Sequence, residues 1–320
     1  MEKDLFNLLQ VRFIKLKFTI SFRHDSILPK DKVSALRGGL GKMLLSTNCI
    51  RDRQCSECDF ENECVVQRII YSKFAIKPEF VTTEAGVGYI LECCDIREKV
   101  KCGDKLDFYL ILFGKTIVYF YQIYQAFVML GEKTGIGKYH SKFTVERIKN
   151  FERVTLQRNN YIDMKNYVIH RLYDYILFRK LQIGDVSTDT KIRMTFDTPT
   201  TLKSQGAFIQ KFEMEPILNA IIRRLYMLNC FEGIKIYIDN YEVSNFIPEI
   251  MFQEYKLESL KRYSNRKEEK MVFKGLKGYL VLRGVSEEVL TLLLIGELIH
   301  IGKNTTFGFG QYHLKLENED

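Results

Sequence analysis

Between His300 and Tyr312 the chain reads HIGKNTTFGFGQY, where Gly302, Gly308 and Gly310 are interleaved with Lys303, Thr305 and Thr306. Glycine lacks the Cβ that keeps a ligand off the backbone, so a loop of this kind can bring bare N–H groups up to an anion. Lys303 would add a positive charge. The same residues also suit an ordinary turn before a last strand. The phosphate loop that ends in Gly-Lys-Ser/Thr is absent, because Gly302–Lys303 opens the run instead of closing it, and ATP is not the natural ligand.

A second cluster with chemical capacity is Cys49, Cys55, Cys58 and Cys64, spaced C-x5-C-x2-C-x5-C. Four thiolates in a short polar segment can surround one tetrahedral zinc, and the central C-x2-C is the chelating turn of such sites. A structural zinc is favoured over an iron–sulfur cluster or four independent thiols. Four thiolates leave no open coordination position, which argues against a zinc-dependent enzyme. Cys93, Cys94, Cys102 and Cys230 sit in apolar strand-like or helix-like context and read as buried, inert thiols.

The elements that position these groups follow from periodicity. Val11–Phe22 alternates apolar and polar residues and predicts a strand. Pro29-Lys-Asp then starts a helix over Lys32–Ser46, with Val33, Leu36, Leu40, Met43 and Leu44 at helical spacing. Gly38, Gly39 and Gly41 lie inside it, which points to close approach of something to the helix. Strands are predicted at Gly88–Ile96, Leu106–Phe113, Phe143–Phe151 and Tyr161–Val168, with a helix over Ile117–Leu130. Gly131–Tyr139 forms a second glycine-lysine loop.

Strand, helix, strand, strand, helix, strand is the ferredoxin-like βαββαβ order, whose open sheet is a frequent RNA platform. After a candidate linker at Gly184–Thr190 the pattern restarts. Lys191–Phe196 is a strand and Glu215–Asn229 a helix. Leu257–Ser264 and Gly278–Arg283 form a hairpin-like pair across the basic stretch Asn265–Lys277. Ser286–His300 is a helix and Gln311–Leu316 the final strand. The expected fold is therefore α+β, with two tandem ferredoxin-like, RRM-like domains. Residues 1–183 form the N-terminal one with the four-cysteine insertion, and residues 191–320 the C-terminal one with the glycine-rich loop.

Composition agrees with this plan. The chain has 320 residues, enough for two domains, and 46% are apolar. The excess of 48 basic over 40 acidic side chains gives +8, which suits a polyanionic partner. Among 18 Tyr and 23 Phe, exposed rings could stack on bases. Neither a signal peptide nor a membrane span is expected, and clustered thiols without a secretory signal point to a reducing cytoplasm.

Five segments in order carry a resemblance: LRGGLGKML, the cysteine cluster behind it, DTPTTLK, the helix with RRLYML and the closing HIGKNTTFGFGQY. Together they resemble CRISPR-associated repeat-specific endoribonucleases of the RAMP superfamily, the type with a distinct C-terminal domain. The resemblance covers nearly the whole chain. It implies two ferredoxin-like domains that cut precursor CRISPR RNA inside its repeats with no metal cofactor in the chemistry. Repeat RNA, and other CRISPR effector subunits, are the implied partners, with no membrane. Carried over, Gly302, Lys303, Thr305, Gly308 and Gly310 are RNA contacts through N–H groups, a hydroxyl and an ammonium, and Arg37 touches phosphate.

In the implied reaction the ribose 2′-hydroxyl attacks the adjacent phosphate and leaves a 2′,3′-cyclic phosphate. Such a step needs a base, an acid for the leaving 5′-oxygen and a cation for the developing charge. Lys42 stands where many relatives carry a histidine, and a lysine suits phosphate stabilisation better than proton abstraction. His24, near the start of that helix, and His300, against the glycine loop, are the histidines left to move protons. They compete with plainer roles as a surface residue and a helix-end residue. The departure at Lys42 keeps open an alternative, a RAMP-type subunit that holds guide RNA without cutting it.

Overall fold

The computed structural model describes residues 2–51, 55–71, 74–78, 81, 86–159, 161–236, 247–264 and 269–317. In chain order the main elements are α1 (Glu2–Leu8), β1 (Arg12–Phe22), α2 (Lys32–Asn48), β2 (Tyr89–Glu92), β3 (Lys105–Phe113), α3 (Phe120–Met129), β4 (Phe143–Lys149), β5 (Thr155–Arg158) and β6 (Tyr161–Ile162). There follow α4 (Leu172–Ile183), β7 (Ile192–Thr200), β8 (Lys203–Ser204), β9 (Ala207–Phe208), α5 (Met214–Glu232), β10 (Glu249–Ser264), β11 (Glu269–Arg283), α6 (Glu287–Ile299) and β12 (Tyr312–Leu316). Two compact units result. One comprises Arg12–Ile169 and Phe231–Gly233, the other Met1–Val11, His170–Cys230 and Ile234–Asp320.

In the first unit the alternation of β1 sends Leu16, Phe18 and Ile20 into the core, where all three are fully buried. The strand pairs antiparallel with β3 on one side and β4 on the other. The sheet order is β2-β3-β1-β4, continued by β5 and β6, and its first four members have the ferredoxin-like arrangement. Asp31 caps α2, its carboxylate accepting the Ser34 N–H at 3.0 Å. Leu36, Leu40 and Leu44 of α2 join Ile123 and Phe127 of α3 in the same core as Phe18 and Phe108. Phe108 lies 4.9 Å from Phe18 and 5.1 Å from Phe127, centroid to centroid. Each such side chain removed from water contributes roughly 1.5–3 kcal/mol. The close approach foreseen for the glycines of α2 is internal at Gly39, where a Cβ would fall 2.4 Å from Leu130 Cδ2.

The second unit repeats the plan, with sheet order β10-β11-β7-β12. The register of β7 against β12 sets Phe196 opposite Tyr312 and Thr195 opposite His313. Phe196 stacks on Phe212 at 4.3 Å, and the Tyr312 hydroxyl donates to the Leu293 carbonyl of α6 at 2.6 Å. Both halves therefore have the expected tandem ferredoxin-like order.

Several predicted elements differ. Tyr161–Val168 is strand only over Tyr161–Ile162, and a short helical turn at Met164–Asn166 ends it. The basic stretch at 265–277 is no simple connector: β11 begins at Glu269, making a long ribbon with β10. Two helices, α1 and α4, were not foreseen. The polar segment Gly184–Thr190 lies inside the second unit, where the Gly284 N–H donates to the Thr188 carbonyl at 2.9 Å and Arg283 meets Asp189 at 2.9 Å. Cys94 and Cys102 are exposed, unlike the buried Cys230, because both lie outside the strands, Cys94 beyond the end of β2 and Cys102 in the turn before β3. Among the described residues no helix is long and apolar enough to cross a membrane.

Candidate nucleic-acid interface

In the second unit the run after α6 folds into a closed loop. The Ile301 N–H donates to the Gly310 carbonyl at 3.1 Å, and the Gly310 N–H to Pro199 at 3.2 Å. The Lys303 N–H donates to Thr201 at 3.1 Å and the Gly308 N–H to Thr305 at 2.9 Å, while the Thr198 hydroxyl holds the Gly308 carbonyl at 2.8 Å. These pairings correct the expectation that Gly308 and Gly310 offer bare N–H groups to an anion, because carbonyls of the same fold already hold them, as Thr201 holds the N–H of Lys303. Glycine is required for a different reason. Gly302 and Gly310 have φ of +82° and +71°, and a Cβ on either would strike Thr201 O at 2.4 Å or Ile301 O at 1.8 Å. Thr305 is buried, whereas Gly302 and the Lys303 side chain face solvent.

His300 ends α6 with φ of +54° and is 0% exposed. Its Nδ1–H donates to the Phe309 carbonyl at 3.1 Å, which assigns the proton to that nitrogen. The Arg224 guanidinium, itself buried, donates to the neighbouring Ile299 carbonyl at 3.3 Å. Burial pulls the Arg224 pKa down to about 10.

Two features beside the loop were missed by the sequence reading. The hairpin of β8 and β9 turns at Gln205 and Gly206, both with positive φ, and pairs Lys203 with Phe208. The Lys203 and Lys303 ammoniums lie 5.0 Å and 4.9 Å from the Phe208 ring centroid. On the sheet, His313 Nδ1 lies 2.8 Å from Asp197 Oδ2, a histidine oriented by a carboxylate. A Gly between short alternating segments was the available signal for the hairpin. The pair of residues 197 and 313 had none, since only strand register brings them together.

In the first unit, His24 is exposed in the loop after β1. That loop is anchored on both sides of the histidine: the Arg23 N–H donates to Lys142 O at 3.0 Å and Asp25 accepts the Cys102 N–H at 2.8 Å. Lys42 is exposed on α2, four residues after Gly38, which has open space where a Cβ would stand. The two share one solvent-facing stripe of the helix. Arg37 is half-buried on another side of α2. Close to the start of α2, burial lowers the pKa of Lys32 against the pull of Asp95, 3.9 Å away.

Cys49, Cys55, Cys58 and Cys64 line one cavity with Leu45, Phe60 and Val65. Among the described residues, however, no three His, Cys, Asp or Glu side chains are gathered as a metal site. The thiols share a cavity without forming a metal centre as they stand.

Residues 9–168 match the AF_1859_N family, an N-terminal domain, and residues 194–312 match the model of the CRISPR-associated endoribonuclease Cas6. The second match ends at Tyr312 and so contains the whole glycine loop. A search of curated proteins finds no match. Among solved structures, a chain of a partial Cas6-RT-Cas1–Cas2 complex is similar over 96% of this chain and 46% of its own, at 12% identity and a TM-score of 0.58. A Thermus thermophilus Cas6 is similar over 95% of this chain and 98% of its own, at 11% identity and a TM-score of 0.51. The chain thus spans less than half the length of the Cas6-RT-Cas1 relative. Both likenesses show the fold. Domain models fit the chain in order, AF_1859_N over residues 9–168 and the CRISPR-associated endoribonuclease Cas6 over residues 194–312, on a tandem ferredoxin-like fold shared with solved Cas6 chains.

Proposed function

We propose that this chain cleaves precursor CRISPR RNA within its repeats. In this reading the ribose 2′-oxygen gives up its proton and bonds to the adjacent phosphorus. The bond from phosphorus to the 5′-oxygen breaks, that oxygen takes a proton, and 2′,3′-cyclic phosphate and 5′-hydroxyl ends remain. The observation that carries the reading is the closed glycine loop, which falls within the segment matching the Cas6 model and presents Lys303 to solvent.

The roles divide by exposure. Lys42 supplies a solvent-facing ammonium for the charge that develops on phosphate, and His24, an exposed histidine, serves proton transfer. Lys303, Gly302 and Arg37 meet the RNA backbone, while Thr305, Gly308 and Gly310 keep the loop in shape for it. His300 enters as the residue that positions the loop, since a ring with no exposed surface is a poor carrier of protons to a bound RNA. The same burial favours a second reading, a subunit that holds guide RNA without cutting it. Repeat RNA and other CRISPR effector subunits are the proposed partners. The four cysteines are proposed as structural zinc ligands, supported by their chelating spacing and common cavity.

Purified protein incubated with its repeat RNA in EDTA tests the main reading. The expected result is cleavage with a cyclic-phosphate end, and Lys42→Ala or His24→Ala should slow single-turnover cleavage by about a hundredfold. Specific binding with no product establishes the non-cutting alternative. Metal analysis should find zinc in the wild type and less in Cys58→Ser; no metal in the wild type rejects the zinc.

A further inference from the structure

We infer that Phe208 is a stacking platform for one base of single-stranded RNA, with Lys203 and Lys303 as clamps for the flanking phosphates. The inference rests on the proposed RNA-binding function and adds a subsite to it. Phe208 is 49% exposed, so its ring is open to a partner.

The surroundings of the ring narrow the partner. Two ammoniums stand at 5.0 Å and 4.9 Å from its centroid, one from β8 and one from the glycine loop. Among the described residues no carboxylate pairs with either lysine, so both charges are left for an anionic ligand. A ligand that satisfies a flat apolar face and two flanking cations has a planar ring between two phosphates, which is a nucleotide within a strand. Base stacking on an aromatic ring is a stronger contact than an exposed cation–π pair, so a base can displace an ammonium from the ring and the ammonium gains a phosphate.

The platform is also rigid. Gln205 and Gly206 make a two-residue turn with φ of +48° and +84°, the geometry that matches strand twist in a tight hairpin. The hairpin is tied to the glycine loop, because Thr201 accepts the Lys303 N–H at 3.1 Å and Leu202 accepts the Ile209 N–H at 3.2 Å. The same loop closure that buries His300 thereby fixes where Phe208 stands. Because every base has a flat face, this contact adds affinity without reading sequence.

The test is binding of fluorescently labelled repeat RNA by anisotropy across a salt series, with thermal melting as a check on folding. Phe208→Ala should weaken binding about tenfold at unchanged salt slope, Phe208→Leu should do the same, and Phe208→Tyr should stay within about twofold of wild type. Lys203→Ala should instead flatten the slope of log K against log salt by about 0.7. Wild-type protein that binds while Phe208→Ala binds equally well overturns the platform alone. Equal binding by Phe208→Leu and wild type overturns stacking as its basis. Wild-type protein that fails to bind RNA overturns the proposed function and the platform with it.

Discussion

The His300 Nδ1–H and the Phe309 carbonyl, 3.1 Å apart, pin the two ends of the glycine loop together from inside the core. Removing the ring leaves a buried carbonyl without its donor and a hole beside α6, and the desolvation of that carbonyl alone costs about 1–3 kcal/mol. His300→Ala is expected to lower the melting temperature by several degrees and to weaken RNA binding and cleavage together. His300→Asn, a residue that tolerates positive φ, should recover part of the stability. A variant that melts and binds as wild type but no longer cuts would make His300 a proton carrier instead.

Lys303 combines an N–H used inside the fold with an ammonium free to meet RNA. Lys303→Ala keeps the first and deletes the second. Melting should be unchanged, RNA affinity should fall, and the salt slope should flatten by about 0.7 for one lost phosphate contact on a single strand. An unchanged slope would remove Lys303 from the phosphate contacts.

How far the fold could be read from the sequence varied with the environment of each element. β1 was plain because one face is buried along its length, so polarity alternates. The helix over 172–183 was not, since Tyr173, Leu177, Phe178 and Leu181 place exposed apolar side chains around it and blur the buried stripe of Leu172, Tyr175 and Ile176. The β10–β11 ribbon was also hidden, because exposed, charge-rich residues fill much of it and little alternation survives. At the site, the glycine loop announced itself by composition, but the use of its N–H groups depended on Pro199 and Thr201, about a hundred residues away. The same is true of His313, whose partner Asp197 is set by strand register.

Asp107 shows how acid should act on the first unit. It faces Thr19 across β1 and β3, accepting the Thr19 hydroxyl at 2.7 Å with the Lys17 ammonium at 2.7 Å. Burial works to raise its pKa, but the bonds from Lys17 and Thr19 outweigh it and hold the carboxyl below the usual aspartate range. A carboxyl that binds its proton more weakly when folded adds stability above its ordinary pKa, and that stability is lost as pH falls through the lowered value. Asp107→Asn should therefore melt below wild type at neutral pH, with the gap closing once pH drops below about 4. A gap that is constant with pH would show that the charge of Asp107 does not contribute.

The second unit depends on a buried charge that joins three elements. Glu297 of α6 receives Arg179 of α4 at 2.7 Å and 3.1 Å, and its Oε1 accepts the Leu314 N–H of β12 at 2.5 Å. The Tyr175 hydroxyl adds a contact at 3.3 Å, and Arg179 also donates to the Leu314 carbonyl at 3.2 Å. The Glu297 side chain is only 4% exposed, so little solvent screens the pair. Deleting one partner strands the other charge in the interior, a change that costs about 3–5 kcal/mol. Glu297→Ala should shift the denaturant midpoint strongly downward. Pairing Glu297→Leu with Arg179→Met, which strands neither charge, should restore most of the loss. If the double variant were as unstable as Glu297→Ala, the hydrogen bond to Leu314, and not the ion pair, would be what holds β12 to α6.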